Sequence, residues 1–101
     1  MFDLKRKPTH PGVILKEEFI EPLNLSQTQL ACELETTFKT VNEIVNEKRS
    51  VSPEMALRLS RYFGTSVEIW LNLQNQYDVC RVLTRKRRAI EHIRPRKVLA
   101  A

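Results

Sequence analysis

Apolar residues recur along this chain at helical spacing, and caps and prolines mark the breaks between the runs. After a polar, basic leader over residues 1–9, Pro11 suits a first helical turn. Val13, Ile14, Phe19 and Ile20 then form an apolar stripe, which Pro22 ends. Ser26-Gln27-Thr28-Gln29 is a capping box: Ser26 accepts from the Gln29 backbone N–H while the Gln29 side chain reaches back. Leu30, Ala31 and Leu34 give the short second helix its buried face. A tight break at Glu35–Thr36 leads into a third helix over about 37–46, with Val41, Ile44 and Val45 turned inward.

Residues 47–52 read as a loop. Ser52-Pro53-Glu54 then supplies a cap, a proline at the first position and an acid in the first turn. Met55, Ala56, Leu59, Tyr62 and Phe63 line the fourth helix, and Gly64 closes it as a left-handed cap. Thr65 to Glu68 reads as another capping box and opens the longest helix, over about 66–88. Its apolar residues do not share one stripe. Val67, Trp70, Leu71 and Tyr77 fall largely on one side, Ile69, Leu73, Cys80 and Leu83 on another. One side packs on the domain; the other calls for a second subunit or another protein. The pattern predicts an all-α protein of five helices, with a domain over residues 10–83 and a basic C-terminal tail over 84–101.

Composition supports this. With 101 residues there is room for one domain and one core, and two glycines are too few for the turns of an all-β fold. The formal charge of +5 is unevenly spread. Residues 81–101 hold eight Lys/Arg against the single acid Glu91, whereas residues 1–80 carry a small net negative charge. A basic end is compatible with nucleic acid, an anionic membrane or an acidic protein, and alone selects none of them. No apolar run approaches the ~20 residues that span a bilayer, and the N-terminus lacks the apolar core of a signal peptide, so a cytoplasmic protein without membrane association is expected. Cys32 and Cys80 stand 48 residues apart with no histidine at ligand spacing, which argues for reduced thiols and against a metal site. No cofactor is expected. Neither His10 nor His92 is accompanied by a nucleophile or a carboxylate pair, and adjacent Glu17 and Glu18 point in different directions on a helix; the chain does not read as an enzyme.

The stretch from Gln27 to Ile44 carries the function. A small residue, Ala31, sits where two helices must approach closely. Leu30, Leu34, Val41 and Ile44 are spaced to form their shared core. Two short helices at a steep angle, the second with a polar outer face, make a helix-turn-helix, whose second helix enters the DNA major groove. Thr37, Phe38, Lys39, Asn42 and Glu43 are the expected base-reading residues. Lys39 suits guanine O6 and N7 and Phe38 a thymine methyl; Glu43 suits cytosine N4 or, alternatively, tunes specificity by repelling phosphates. Ser26, Gln27 and Thr40, with Lys48 and Arg49 just beyond the third helix, are the expected phosphate contacts. Tyr77, Cys80 and Leu83 are the expected dimer contacts, with Trp70 assigned to the core. The run Arg85-Lys86-Arg87-Arg88 reads equally as an anion-binding segment or a solvated tail. Ile90 and Ile93 beside it point to an amphipathic continuation of the helix, which Pro95 ends.

Three segments, SQTQLACEL, TVNEIVNEKR and SPEMALRLSRYFGTSVEIWLNLQNQYD, resemble the HigA/VapI branch of the Cro/CI-type (XRE) helix-turn-helix proteins. The opening THPGVILKEEFIEPLNLS is similar to the same branch, so the resemblance covers roughly residues 8–79. It implies a lambda-repressor-like domain and an antitoxin that neutralises a RelE-like ribonuclease toxin. It further implies a homodimer that represses its own operon at a palindromic double-stranded operator. A stand-alone dimeric repressor with no toxin partner is the alternative. The sequence departs from the family where Glu35 and Glu47 replace glycines. A positive φ at Glu35 would cost ~1 kcal/mol, and Glu47 sets a negative charge beside the expected phosphate contacts.

Overall fold

A computed structural model describes residues 8–97, and these contain five helices and no strand. Helix α1 begins as Pro11–Ile14 and continues without a break as a π-helical segment, Leu15–Ile20. It is followed by α2 (Gln27–Glu33), α3 (Phe38–Val45), α4 (Pro53–Phe63) and α5 (Val67–Glu91). Most of the leader expected over residues 1–9 lies outside the described residues.

Side chains cap each of these helices at its start. His10 Nδ1 accepts from the Gly12 N–H at 2.9 Å, Ser26 from Gln29, Thr37 from Thr40, Ser52 from Met55 and Ser66 from Ile69. The fifth cap is Ser66, one residue later than the expected Thr65. Thr65 instead accepts the Trp70 indole N–H at 2.8 Å, which satisfies the one polar atom of a fully buried ring. The π-helical turn was not foreseen either. Glu21 N–H bonds the Lys16 carbonyl, an i to i+5 contact, and this spacing lets Leu15 and Ile20, five residues apart, both bury.

The core gathers Leu15 and Ile20 from α1, Leu30, Ala31 and Leu34 from α2 and its end, and Val41, Ile44 and Val45 from α3. Val51 of the loop before α4, Met55, Ala56 and Leu59 of α4 and Trp70 of α5 complete it. Phe19 packs against both Phe63 and Trp70, with ring centroids 4.6 and 5.4 Å away. Each fully buried large apolar side chain contributes about 1.5–3 kcal/mol, so these few anchors position α3 firmly. Glycine is required at position 12, because a Cβ there would overlap the Ile44 carbonyl; α1 lies directly on the backbone of α3. Gly64 closes α4 with φ 72°, as expected of a left-handed cap.

Helix α5 runs past residue 83 to Glu91, about three residues beyond its expected end, and from Thr84 to Lys97 every residue is exposed. Lys86 departs from helical geometry, at φ −129° and ψ 22°, and marks a kink in the middle of the basic run.

Candidate nucleic-acid interface

Helices α2 and α3 meet through Ala31 and Leu34 on one side and Val41 and Ile44 on the other, all buried, joined by a turn at Glu35. Glu35 holds φ 58°, the left-handed conformation that a glycine adopts at less cost. Arg58 of α4 fixes this turn: its Nη1 donates to the carbonyls of Leu34 and Glu35, at 2.8 and 3.1 Å. They belong to the C-cap of α2 and to the turn residue after it, where the chain has left the helix and the carbonyls lack helical partners. Arg58 was not expected at the site; it stands 24 residues from Leu34, and no local pattern announces such a contact.

On the outer face of α3 the candidate residues divide into free and engaged. Phe38, half exposed, and Lys39, exposed, extend from the first turn without a polar partner among the described residues. Thr37 is occupied as the helix cap, and its hydroxyl also bonds that of Thr40 at 2.9 Å. Asn42 Nδ2 donates to Gln27 Oε1 at 3.0 Å, which ties the recognition helix to the start of α2. Glu43 receives the Arg49 guanidinium through Nε at 2.9 Å and Nη2 at 2.6 Å. That charge-assisted bond holds the Glu43 carboxyl below its ordinary range. Ser26 Oγ accepts the cap bond of α2 and keeps its O–H as a donor, and Lys48 is exposed with no ion pair among the described residues.

The loop after α3 is held from two directions. Glu47, with φ 61°, turns the chain, and Lys48 N–H returns to the Glu43 carbonyl at 2.7 Å. Gln74, a buried polar residue of α5, accepts from Val51 N–H at 2.8 Å and donates to Asp78 Oδ1 at 3.0 Å. His10 is buried beside the same loop. Burial depresses its pKa; the charges of Glu47 and Asp78 pull upward, Arg81 adds to the depression, and the Arg49 main chain raises it. Sequence reasoning placed His10 at a helix cap and overlooked Gln74, because an isolated glutamine in a helix carries no signal of what it will touch.

The three expected dimer residues occupy different environments. The Tyr77 ring stacks edge-on against His10, centroids 4.8 Å apart, so it is used inside its own chain. Cys80 is half buried, while Leu83 is 7 % exposed and presents little area. Ile69, on the same side of α5 as Cys80 by helical spacing, is 46 % exposed. Cys32 and Cys80 are free thiols, and no cluster of metal-ligating side chains occurs among the described residues. No helix among them is long and apolar enough to cross a membrane.

Two short packed helices, the second with a polar outer face, braced by three further helices, define a helix-turn-helix module. The helix-turn-helix family model matches residues 15–70, and the chain belongs to that family, in the branch of antitoxin HigA and virulence-associated protein I. Virulence-associated protein I of Dichelobacter nodosus is 47 % identical over 70 residues, covering 69 % of this chain and 65 % of that protein. The chain thus spans about two thirds of that relative's length. The structure of Pseudomonas aeruginosa antitoxin HigA with the higBA promoter matches with TM-score 0.84 and 44 % identity, over 87 % of this chain and 97 % of that one. Antitoxin GraA in complex with its operator matches with TM-score 0.86 and 37 % identity, over 98 % of this chain and all of that one.

Proposed function

We propose that the protein is a dimeric, cytoplasmic antitoxin of a type II toxin–antitoxin system. It binds the operator of its own operon through α2 and α3 and neutralises a RelE-like ribonuclease toxin. The observation that carries this reading is the exposed first turn of α3, with Phe38 and Lys39 free, on a fold shared along nearly its whole length with an antitoxin solved on its promoter.

In this reading Lys39 donates to guanine O6 and N7 and Phe38 packs on a thymine methyl. Asn42 reads a base while steadied by Gln27, and Glu43 offers its remaining lone pairs to a cytosine amine. Thr37 and Thr40 keep the first turn rigid at the groove, while Ser26, Gln27, Lys48 and Arg49 contact phosphates. The dimer contact runs along the Ile69–Cys80 side of α5, with Tyr77 and Leu83 at its margins. The protein acts by binding and performs no chemistry of its own, in keeping with the helix-turn-helix family to which it belongs.

The test is co-expression with the neighbouring reading frame, followed by titration of the purified complex against the upstream promoter at two salt concentrations. A co-eluting basic partner and a promoter shift that weakens steeply with salt are expected. Promoter binding without a partner would reduce the reading to a stand-alone repressor. Unchanged operator affinity in both Thr37→Ala and Lys39→Ala would overturn the recognition-helix assignment.

A further inference from the structure

A small polar cavity of about 60 Å³ lies between the loop after α3 and the middle of α5. Lys48 and Arg49 line it from the loop and Arg81 from α5, with His10, Gln74 and Tyr77 also in its wall. Arg49 connects the cavity to the recognition face, since its guanidinium is bound to Glu43 on α3. Arg81 stands over the Tyr77 ring, 5.8 Å from its centroid, and makes no ion pair among the described residues. Lys48 likewise makes none. The cavity therefore gathers two uncommitted cations from separate elements at the edge of the surface that faces DNA. Glu47 is the one acid in its wall.

We infer that Lys48 and Arg81 clamp one backbone phosphate of the operator in this cavity, which makes α5 part of the DNA-binding surface. This rests on the reading of the protein as an operator-binding repressor. A phosphodiester oxygen fits the cavity's size, and two cations from different elements fix its position more tightly than either alone. The Tyr77 ring limits the freedom of the guanidinium, so little order has to be imposed on binding. Gln74 of α5 holds the loop that carries Lys48 through the Val51 N–H, so the two sides of the clamp keep their spacing. Such a contact adds affinity without reading sequence.

The experiment measures operator affinity against salt for the full chain and for Arg81→Gln, Arg81→Lys, Lys48→Gln and the Lys48→Gln/Arg81→Gln double variant. Thermal melting and oligomeric state serve as controls of folding and assembly. Arg81→Gln is expected to weaken binding about tenfold on every DNA sequence and to reduce the magnitude of the log–log salt slope by about one. Arg81→Lys restores most of the loss, and the double variant loses less than the product of the single effects. Undiminished affinity and slope in Arg81→Gln would overturn the clamp, while loss of binding in Lys39→Ala beside it would leave the operator reading standing. Failure of the unsubstituted protein to bind promoter DNA would overturn both. Inorganic phosphate at matched ionic strength distinguishes the source of the anion. No effect on operator binding is expected; specific competition that vanishes in Arg81→Gln would assign the cavity to free phosphate and overturn the DNA contact.

Discussion

Asn42 on α3 is held by Gln27 on α2 through a 3.0 Å side-chain hydrogen bond between residues 15 apart in sequence. One Asn42 N–H is used, and its carbonyl oxygen and second N–H remain, the pair of groups that an asparagine presents to adenine N6 and N7. Asn42→Ala is expected to cost about 1–3 kcal/mol of discrimination at one base pair. Gln27→Ala should relax discrimination at that same pair, because it frees the amide to rotate. Binding to a set of operators, each with one base pair changed, measures this. Equal weakening of all operators by Gln27→Ala would mean that Gln27 serves only a phosphate.

His10 couples stability to pH. Its folded-state pKa is depressed by burial below the ordinary value of 6.5, so the unfolded chain takes up a proton first. Stability is therefore full above about pH 6.5 and falls as the pH drops through the folded-state pKa. Protonation of Nδ1 would also remove the acceptor that caps Gly12. Denaturant unfolding between pH 8 and 5 should show this decline, and His10→Gln should flatten it while lowering stability at pH 8 by about 1 kcal/mol, the worth of a cap.

Glu35 and Glu47 both hold positive φ, at 58° and 61°. Replacing either by glycine should raise stability by up to about 1 kcal/mol, with the relief of strain partly offset by the greater freedom of glycine when unfolded. The two should differ on DNA. Glu47→Gly also removes an acid beside Lys48 and should tighten operator binding, whereas Glu35→Gly should leave it nearly unchanged. Melting curves and operator titrations of the two variants separate the effects.

Gly12→Ala tests the seat of the recognition helix. The added methyl would overlap the Ile44 carbonyl, a backbone atom that cannot rotate aside. The expected loss is about 3 kcal/mol or more, larger than most helix substitutions and opposite to the usual gain of Gly→Ala in a helix. An unchanged melting temperature would show that α1 can lift away from α3.

Much of this protein follows from the sequence alone, because its signals are local. Ser26, Ser52 and Gly64 act within three or four residues of themselves, and the apolar spacing of Leu30, Ala31, Leu34, Val41 and Ile44 defines two helices and the face on which they meet. The helix-turn-helix and its exposed Lys39 follow from that, while the family rests on the resemblance of the segments between Thr9 and Asp78 to its members. What the tertiary structure decided was which polar groups remain free. Gln27 and Asn42, Glu43 and Arg49, and Arg58 with the turn are brought together across different elements, so a residue suited to DNA by its chemistry is partly engaged within the protein. The same holds for His10, Tyr77, Gln74 and Arg81 around the loop. Capping and periodicity act over one helical turn and are written in adjacent letters, whereas a hydrogen bond between distant side chains exists only once the core has set the distance between their helices.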